Sequence, residues 1–296
     1  MRRRVLAVMI AAAVTLTACS EATPDASTSV DRSSDISQID ITASDALAPE
    51  LTIPSDANFD EPQGELIWKG EGAALVDGQP LLLDMYGVSL SDGSEVVNTF
   101  DGLPRSYVLA REVLGDELYD LLINANVGTR ALVVAPAADS SSTQPDVVMV
   151  VDVLSERAVG TEIPQREDLP WVTVDQDTGE PDITIDDKLV EPTDLQSETL
   201  IQGTGPQVKQ GSYILVNYKA VRWDDGSVFS SSWPVETAPF STQIGTGQVI
   251  KAWDEALLDQ TVGSQVSIVA PPEYGYPEEG TLVFVVDILD VWTPVE

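Results

Sequence analysis

The chain has no histidine and a single cysteine, Cys19, in 296 residues. Without histidine it lacks the commonest general acid–base and the commonest metal ligand. With one cysteine it can form no intramolecular disulfide, no thiolate zinc site and no cysteine nucleophile beyond residue 19. Positive charge is scarce as well: 15 Lys and Arg stand against 49 Asp and Glu, a formal net charge of −34. Phosphate backbones are bound through Lys and Arg, so nucleic acid is excluded as a partner. Any catalysis here must work without a proton shuttle, and no metal or cofactor is expected. What the chain does have is a 43% hydrophobic content and the length of two ordinary domains, enough for two real cores.

The N-terminus reads as an export leader. Arg2-Arg3-Arg4 precede an apolar run from Val5 to Leu16, too short to span a bilayer comfortably. The run ends in Leu16-Thr17-Ala18-Cys19-Ser20, which resembles the bacterial lipobox. That resemblance implies removal of residues 1–19 up to the cysteine and lipidation of Cys19. The mature chain would then sit on the extracytoplasmic face of the cell membrane. Residues 20–46, rich in Ser, Thr, Asp and Ala, are expected to be a flexible tether.

Beyond the tether the sequence repeats itself. Gly70, Gly72, Leu75 and Gly78 recur 133 residues later as Gly203, Gly205, Val208 and Gly211. Asp92-Gly93-Ser94 recurs as Asp225-Gly226-Ser227 at the same offset, and Val127-Gly128 recurs as Val262-Gly263 at 135. Even the preambles match: Pro49-Glu50-Leu51-Thr52-Ile53 against Pro181-Asp182-Ile183-Thr184-Ile185. Two tandem copies of one fold are expected at 47–158 and 199–293, joined by a proline-rich linker at 159–198. An edge strand is expected within that linker at Trp171-Val172-Thr173-Val174. Asp175-x-Asp177-x-Gly179 has a faintly calcium-like spacing but lacks the downstream glutamate, so a plain turn is the expectation.

The second copy reads as strands around one helix. Ile214, Val216 and Tyr218 alternate on one face, and Asp224-Asp225-Gly226-Ser227 is a hairpin turn. Leu282 to Leu289 is apolar enough for a sheet centre. Gly245-Thr246-Gly247 delivers Val249 and Ile250 to a short helix carrying Trp253, with Gly263 available as a stop. Successive strands with one short helix argue an α+β unit, an antiparallel sheet wrapped around that helix.

The stretch from about 200 to 292 resembles the FKBP-type peptidyl-prolyl cis-trans isomerases. Tyr218, Phe229, Phe240, Val249, Ile250, Trp253, Tyr276 and Phe284 stand, in order, where that family lines its pocket. The resemblance implies two FKBP-like domains, with Trp253 under the proline ring of a substrate. It also implies that the Ile250 backbone N–H and the Tyr276 hydroxyl anchor substrate carbonyls. Partners would be proline-containing segments of exported proteins, macrolide ligands, and the bilayer through Cys19. The sequence departs from the family at Ser230, where Asp is usual, and at Ala252, where Gly is usual. The segment Pro277-Glu278-Glu279-Gly280 is also short and acidic where a longer, partly apolar loop is usual, which predicts slow turnover. In the first copy the aligned positions are Met85, Val96, Leu118, Ser141 and Met149, so the aromatics are gone. The expected function is a surface-anchored peptidyl-prolyl isomerase or folding chaperone acting through the second domain. The alternatives are a non-catalytic protein-binding lipoprotein and a structural spacer.

Overall fold

The computed structural model describes residues 34–42, 48–136, 146–176, 178–233 and 238–294. Cys19 with its leader, Ser141 and Asp177 lie outside them. Each half of the chain begins with a short hairpin and continues as an antiparallel sheet. In the first half a 3₁₀ turn at Ile36–Gln38 leads into β1 (Asp40–Ile41), which pairs with β2 (Leu51–Thr52). Then come β3 (Gln63–Trp68), β4 (Pro80–Ser89), β5 (Glu95–Asn98), β6 (Arg105–Val108), α1 (Arg111–Leu114), α2 (Asp116–Leu122), β7 (Arg130–Ala135) and β8 (Val147–Leu154). The sheet order is β5-β4-β8-β7-β3, with β6 paired to the start of β4.

The second half repeats the plan. After β9 (Thr161–Glu162), the strands β10 (Trp171–Val174) and β11 (Pro181–Thr184) form a hairpin. The sheet follows as β12 (Gln196–Gln202), β13 (Tyr213–Arg222), β14 (Val228–Ser231), β15 (Phe240–Gln243), α3 (Lys251–Ala256), β16 (Gln265–Ala270) and β17 (Leu282–Trp292). Its order is β14-β13-β17-β16-β12-β9, with β15 on the start of β13. The strands β3, β4 and β5 begin 133 residues before β12, β13 and β14, and β6, α2, β7 and β8 begin 135 before β15, α3, β16 and β17. The offsets found between motifs are thus offsets between whole elements. The fold is two FKBP-like α+β domains, the first carrying two short helices where one was expected.

Gly70 and Gly203 are glycine for one physical reason. A Cβ on Gly70 would lie 2.1 Å from the Val127 carbonyl oxygen, and one on Gly203 would lie 2.2 Å from that of Val262. In both copies the loop after the first sheet strand crosses the next turn backbone against backbone, which only glycine permits.

Both faces of each sheet are covered, which is why β17 reads as an unbroken apolar run. Leu282, Phe284, Val286 and Ile288 face α3 with Ile214, Val216 and Trp253. Val283 and Val285 face the other way, onto Leu169, Val172 and Ile183 of the hairpin segment. Residues 159–198, expected as linker, therefore hold the second sheet's back cover. Trp171–Val174 is a strand as expected, but it pairs with β11 rather than with the main sheet. In the first half Ile36, Ile39 and Phe59 cover Leu132, Val134, Val148 and Val150 in the same manner. Residues 36–41, expected within the tether, are folded because those two isoleucines have an apolar face to bury. Gln63 ties them down, its amide accepting from the Ile36 N–H at 2.9 Å.

The helix α3 ends earlier than the expected stop at Gly263. Its cap is Leu257, and Asp259 takes the left-handed conformation at φ 64° that releases the chain. Gly263, at φ 88°, instead serves the crossing with Gly203. The Asp175 segment is a turn: its carboxylate accepts from the Thr178 N–H at 2.7 Å, and Gly179 sits at φ 76°. Between the two sheets, Leu82 packs with Leu215 and Leu289, flanked by Leu103 and Leu154. Among the described residues no helix is long and apolar enough to cross a membrane.

Candidate active site

The site begins with a glycine turn. Gly245 and Gly247 both have positive φ, 76° and 75°. Their N–H groups donate to the two carboxylate oxygens of Asp254, at 2.7 and 2.8 Å. A single side chain in the first turn of α3 thereby folds the preceding loop back onto the helix. Charge-assisted bonds of this kind are the stronger ones. The held loop presents Val249 and Ile250, half-buried and packed against the core. Ile250 caps the helix: its carbonyl accepts from the N–H groups of Trp253 and Asp254, at 3.0 and 3.2 Å. Its own N–H donates to nothing among the described residues.

Trp253 is the floor. Only 4% of it is exposed, and three rings stand edge-on around its indole. Tyr218 has its centroid at 5.3 Å, Phe284 at 5.8 Å and Phe240 at 6.0 Å, with interplanar angles of 75–82°. Edge-to-face contacts of this kind add about 0.5–1.5 kcal/mol each beyond burial. The indole N–H has no hydrogen-bond acceptor among the described residues. Phe284 comes from the central strand β17, Tyr218 from β13 and Phe240 from β15, so three neighbouring strands aim one ring each at the helix. That convergence follows from register, because Val216 sits opposite Phe240 and Ala220 opposite Phe284.

The rim is open. Phe240 is 41% exposed and Tyr276 is 45% exposed. Tyr276 lies against Phe229 with centroids 5.6 Å apart. The residues from Pro277 to Gly280 are exposed and form a tight turn, closed by the Glu279 N–H donating to the Tyr276 carbonyl at 2.9 Å. The eight residues singled out in the sequence thus fall into three sets. Trp253, Tyr218, Phe240 and Phe284 touch ring to ring, whereas Phe229 and Tyr276 touch each other. Val249 and Ile250 lie on the loop that enters the helix.

Ser230 has a clear local role. Its hydroxyl and that of Tyr218 are 2.8 Å apart, so the shorter side chain still holds the tyrosine ring. The Ser232 hydroxyl binds the Tyr218 N–H at 2.9 Å and fixes the strand beside it. Sequence reasoning missed Arg222 and Glu279, whose side chains pair at 2.5 Å beside Phe229. They are far apart in the chain and meet only because the turns after β13 and before β17 lie side by side. No spacing rule carries that signal.

In the first copy the matching positions build a different interior. Leu118 on α2 is buried among Leu81, Leu83, Leu109 and Val151, with Met85 beside it. Val96 is 43% exposed.

Comparison with known proteins agrees with this geometry. The sequence model of the FKBP-type peptidyl-prolyl cis-trans isomerases matches residues 205–289. FK506-binding protein 1A of Aspergillus fumigatus is 38% identical over 92 residues, covering 28% of this chain and 80% of that protein. FK506-binding protein 2 of Emericella nidulans is 38% identical over 90 residues, 28% of this chain and 66% of that one. An FK506-binding protein of Streptomyces anulatus is 32% identical over 110 residues, 34% of this chain and 88% of that one. The chain thus spans from about two thirds to nearly nine tenths of these three relatives.

Proposed function

Through its second domain the chain belongs to the FKBP-type peptidyl-prolyl cis-trans isomerase family, and we propose that this domain catalyses rotation about Xaa–Pro bonds in exported polypeptides. The observation that carries the reading is the buried Trp253 indole, framed by Tyr218, Phe240 and Phe284 beneath an open rim. Rotating an Xaa–Pro bond breaks amide resonance against a barrier of roughly 18–20 kcal/mol. The twisted amide is less polar than the planar one, so an apolar, water-poor surface favours it over the ground state. Trp253 takes the proline ring, the free Ile250 N–H and the Tyr276 hydroxyl hold the flanking carbonyls, and Phe229, Val249 and Phe240 form the sides. The reaction makes no bond to the protein and needs no histidine.

The leader and Cys19 support the wider reading, a lipoprotein held on the extracytoplasmic face of the membrane. There, slow Xaa–Pro isomerisation limits the folding of newly exported chains. The first domain is a degenerate copy, a spacer or protein-binding module, because Met85, Leu118 and Met149 stand where the second has Tyr218, Trp253 and Phe284, and Arg105 stands where it has Phe240. The relatives are named for binding FK506, which makes that macrolide the natural competitor.

The test is a protease-free isomerisation assay on the mature chain with a proline peptide. Turnover inhibited by FK506 and lowered about three- to tenfold by Tyr276→Phe, through loss of one substrate hydrogen bond, is expected. No turnover in the wild type sinks the reading. The second reading is a non-catalytic prolyl-segment binder, favoured by the absence of any apolar residue between Tyr276 and Thr281 except Pro277. It predicts saturable peptide binding without turnover.

A further inference from the structure

The isomerase reading leaves one side of the site unaccounted for. Only four residues separate Tyr276 from Thr281, and they supply no apolar wall. Arg222 stands there instead. It is the last residue of β13, opposite Leu282 at the start of β17, so its side chain leaves the sheet where the two turns meet. The guanidinium lies 5.1 Å from the centroid of the Phe229 ring, and its Nη2 donates to the Glu279 carboxylate at 2.5 Å. Phe229 in turn packs on Tyr276, and the Glu279 N–H donates to the Tyr276 carbonyl. The four residues therefore close a ring of contacts: cation on ring, ring on ring, backbone turn, ion pair. The pair is partly shielded, with 31% and 38% of the two side chains exposed.

We propose that Arg222 is a positioning residue of the site, a substitute wall that fixes Phe229, Tyr276 and the 277–280 turn in the arrangement a prolyl peptide meets. The proposal rests on the isomerase reading and extends it. A planar, fully charged fork can stack on a ring and pair with a carboxylate at once, which lysine cannot. Arg222 touches neither the Trp253 floor nor the Ile250 loop in the contacts described above. Its loss should loosen the rim, which binds the ground state and the twisted state alike, rather than the floor that tells them apart. Uniform binding of that kind shows in KM and leaves kcat in place.

The experiment compares the mature wild-type chain with Arg222→Met, Arg222→Lys and Glu279→Gln in the protease-free assay, with thermal unfolding measured on each. Arg222→Met should raise KM about fivefold, the worth of one partly shielded cation–π and ion-pair contact, with kcat within about twofold. Arg222→Lys, which keeps the charge but not the plane, should recover part of that loss. Glu279→Gln should fall between the wild type and Arg222→Met, and raising the salt concentration should move the wild type toward it. An Arg222→Met protein that folds and keeps wild-type KM overturns the proposal. So does a fall in kcat at constant KM, which would place the residue in the chemistry. A wild type that turns over no proline peptide removes the isomerase reading and this one with it. An active wild type with indifferent variants removes this one alone.

Discussion

Replacing Asp290 with asparagine should stabilise the chain at pH 8, and by less than half as much at pH 5. Asp290 lies on β17 opposite Leu215, at the junction where Leu82, Leu215 and Leu289 meet. Burial, with the Asp84 charge adding to it, pushes its carboxyl up to about 7. Asp84 is itself pushed up to about 6, by burial first and then by Asp152, against the opposing pull of the Thr99 hydroxyl, the Met85 N–H and Arg130. For an acid whose folded pKa is raised, the folded state holds the extra proton. The contribution is therefore full below the unfolded value near 4 and is lost as pH rises towards 7. About three pKa units at 1.36 kcal/mol each set a ceiling near 4 kcal/mol, and water reaching the half-buried carboxylate reduces this to roughly 2 kcal/mol. Urea midpoints at the two pH values measure it. In an Asp84→Asn background the gain from Asp290→Asn should shrink, because the repulsion has already been removed. If Asp290→Asn shifts the midpoint equally at pH 5 and pH 8, or lowers it at pH 8, the junction is not charged as described here.

Four further outcomes follow from single positions. Asp254→Ala removes the acceptor of both the Gly245 and Gly247 N–H groups, and should cost about 1–3 kcal/mol in thermal unfolding while weakening peptide binding through Ile250. Gly203→Ala drives a Cβ to within 2.2 Å of the Val262 carbonyl oxygen, so it should abolish soluble folded protein. By contrast, Gly226→Ala, at φ 68° with open space around it, should cost only about 1 kcal/mol. Asp152→Ala takes from the fully buried Arg130 guanidinium the carboxylate that binds it through two oxygens at 2.5 and 2.6 Å, and should cost about 3–5 kcal/mol by urea denaturation.

The repeat and the strand pattern were legible because they rest on backbone requirements that leave marks at fixed spacing. Glycines mark the crossings, Asp-Gly marks the hairpin turns and alternation marks the sheet faces. Of the eight positions marked by the family resemblance, Tyr218, Phe240, Trp253 and Phe284 meet ring to ring, whereas Val249, Ile250 and Tyr276 lie on loops that no strand or helix pattern places. Three things were not legible. The hairpin at Trp171–Val174 and Pro181–Thr184 looked like linker because prolines and acids punctuate it, yet Pro181 is buried and Leu169, Val172 and Ile183 face the sheet. The folded stretch at 36–41 was hidden by its composition, since three isoleucines among polar residues, at spacings of three and two, fit neither period. The Arg222–Glu279 pair joins positions 57 residues apart through the adjacency of two turns, and a linear reading has no way to bring them together.

The two copies show how far one backbone plan tolerates different interiors. Arg130 and Asp152 pair across β7 and β8, and the corresponding residues Gln265 and Asp287 pair across β16 and β17, where the Gln265 amide donates at 2.8 Å. The first copy thus buries a full ion pair over the Trp68 ring, with the guanidinium 4.4 Å from its centroid. The second leaves a carboxyl hydrogen-bonded to neutral groups, the Ala158 N–H and Gln265, and burial lifts it to about 6 against those bonds and the charge of Arg157. Removing the acid should therefore have opposite consequences at matched positions. Asp152→Asn unpairs a buried cation, whereas Asp287→Asn relieves a carboxylate that ionises at a cost above pH 6, and Gln265 can turn over to accept from the new amide. The same independence holds at the floor, where Leu118 fills the place of Trp253 without any change in strand order. Fold and function are separable here because the sheet asks only that these positions be filled by apolar volume, whereas a prolyl ring asks for flat aromatic surface. Whatever chemistry the chain performs on proline thus belongs to the few rings that the second copy places around its helix, and not to the architecture both copies share.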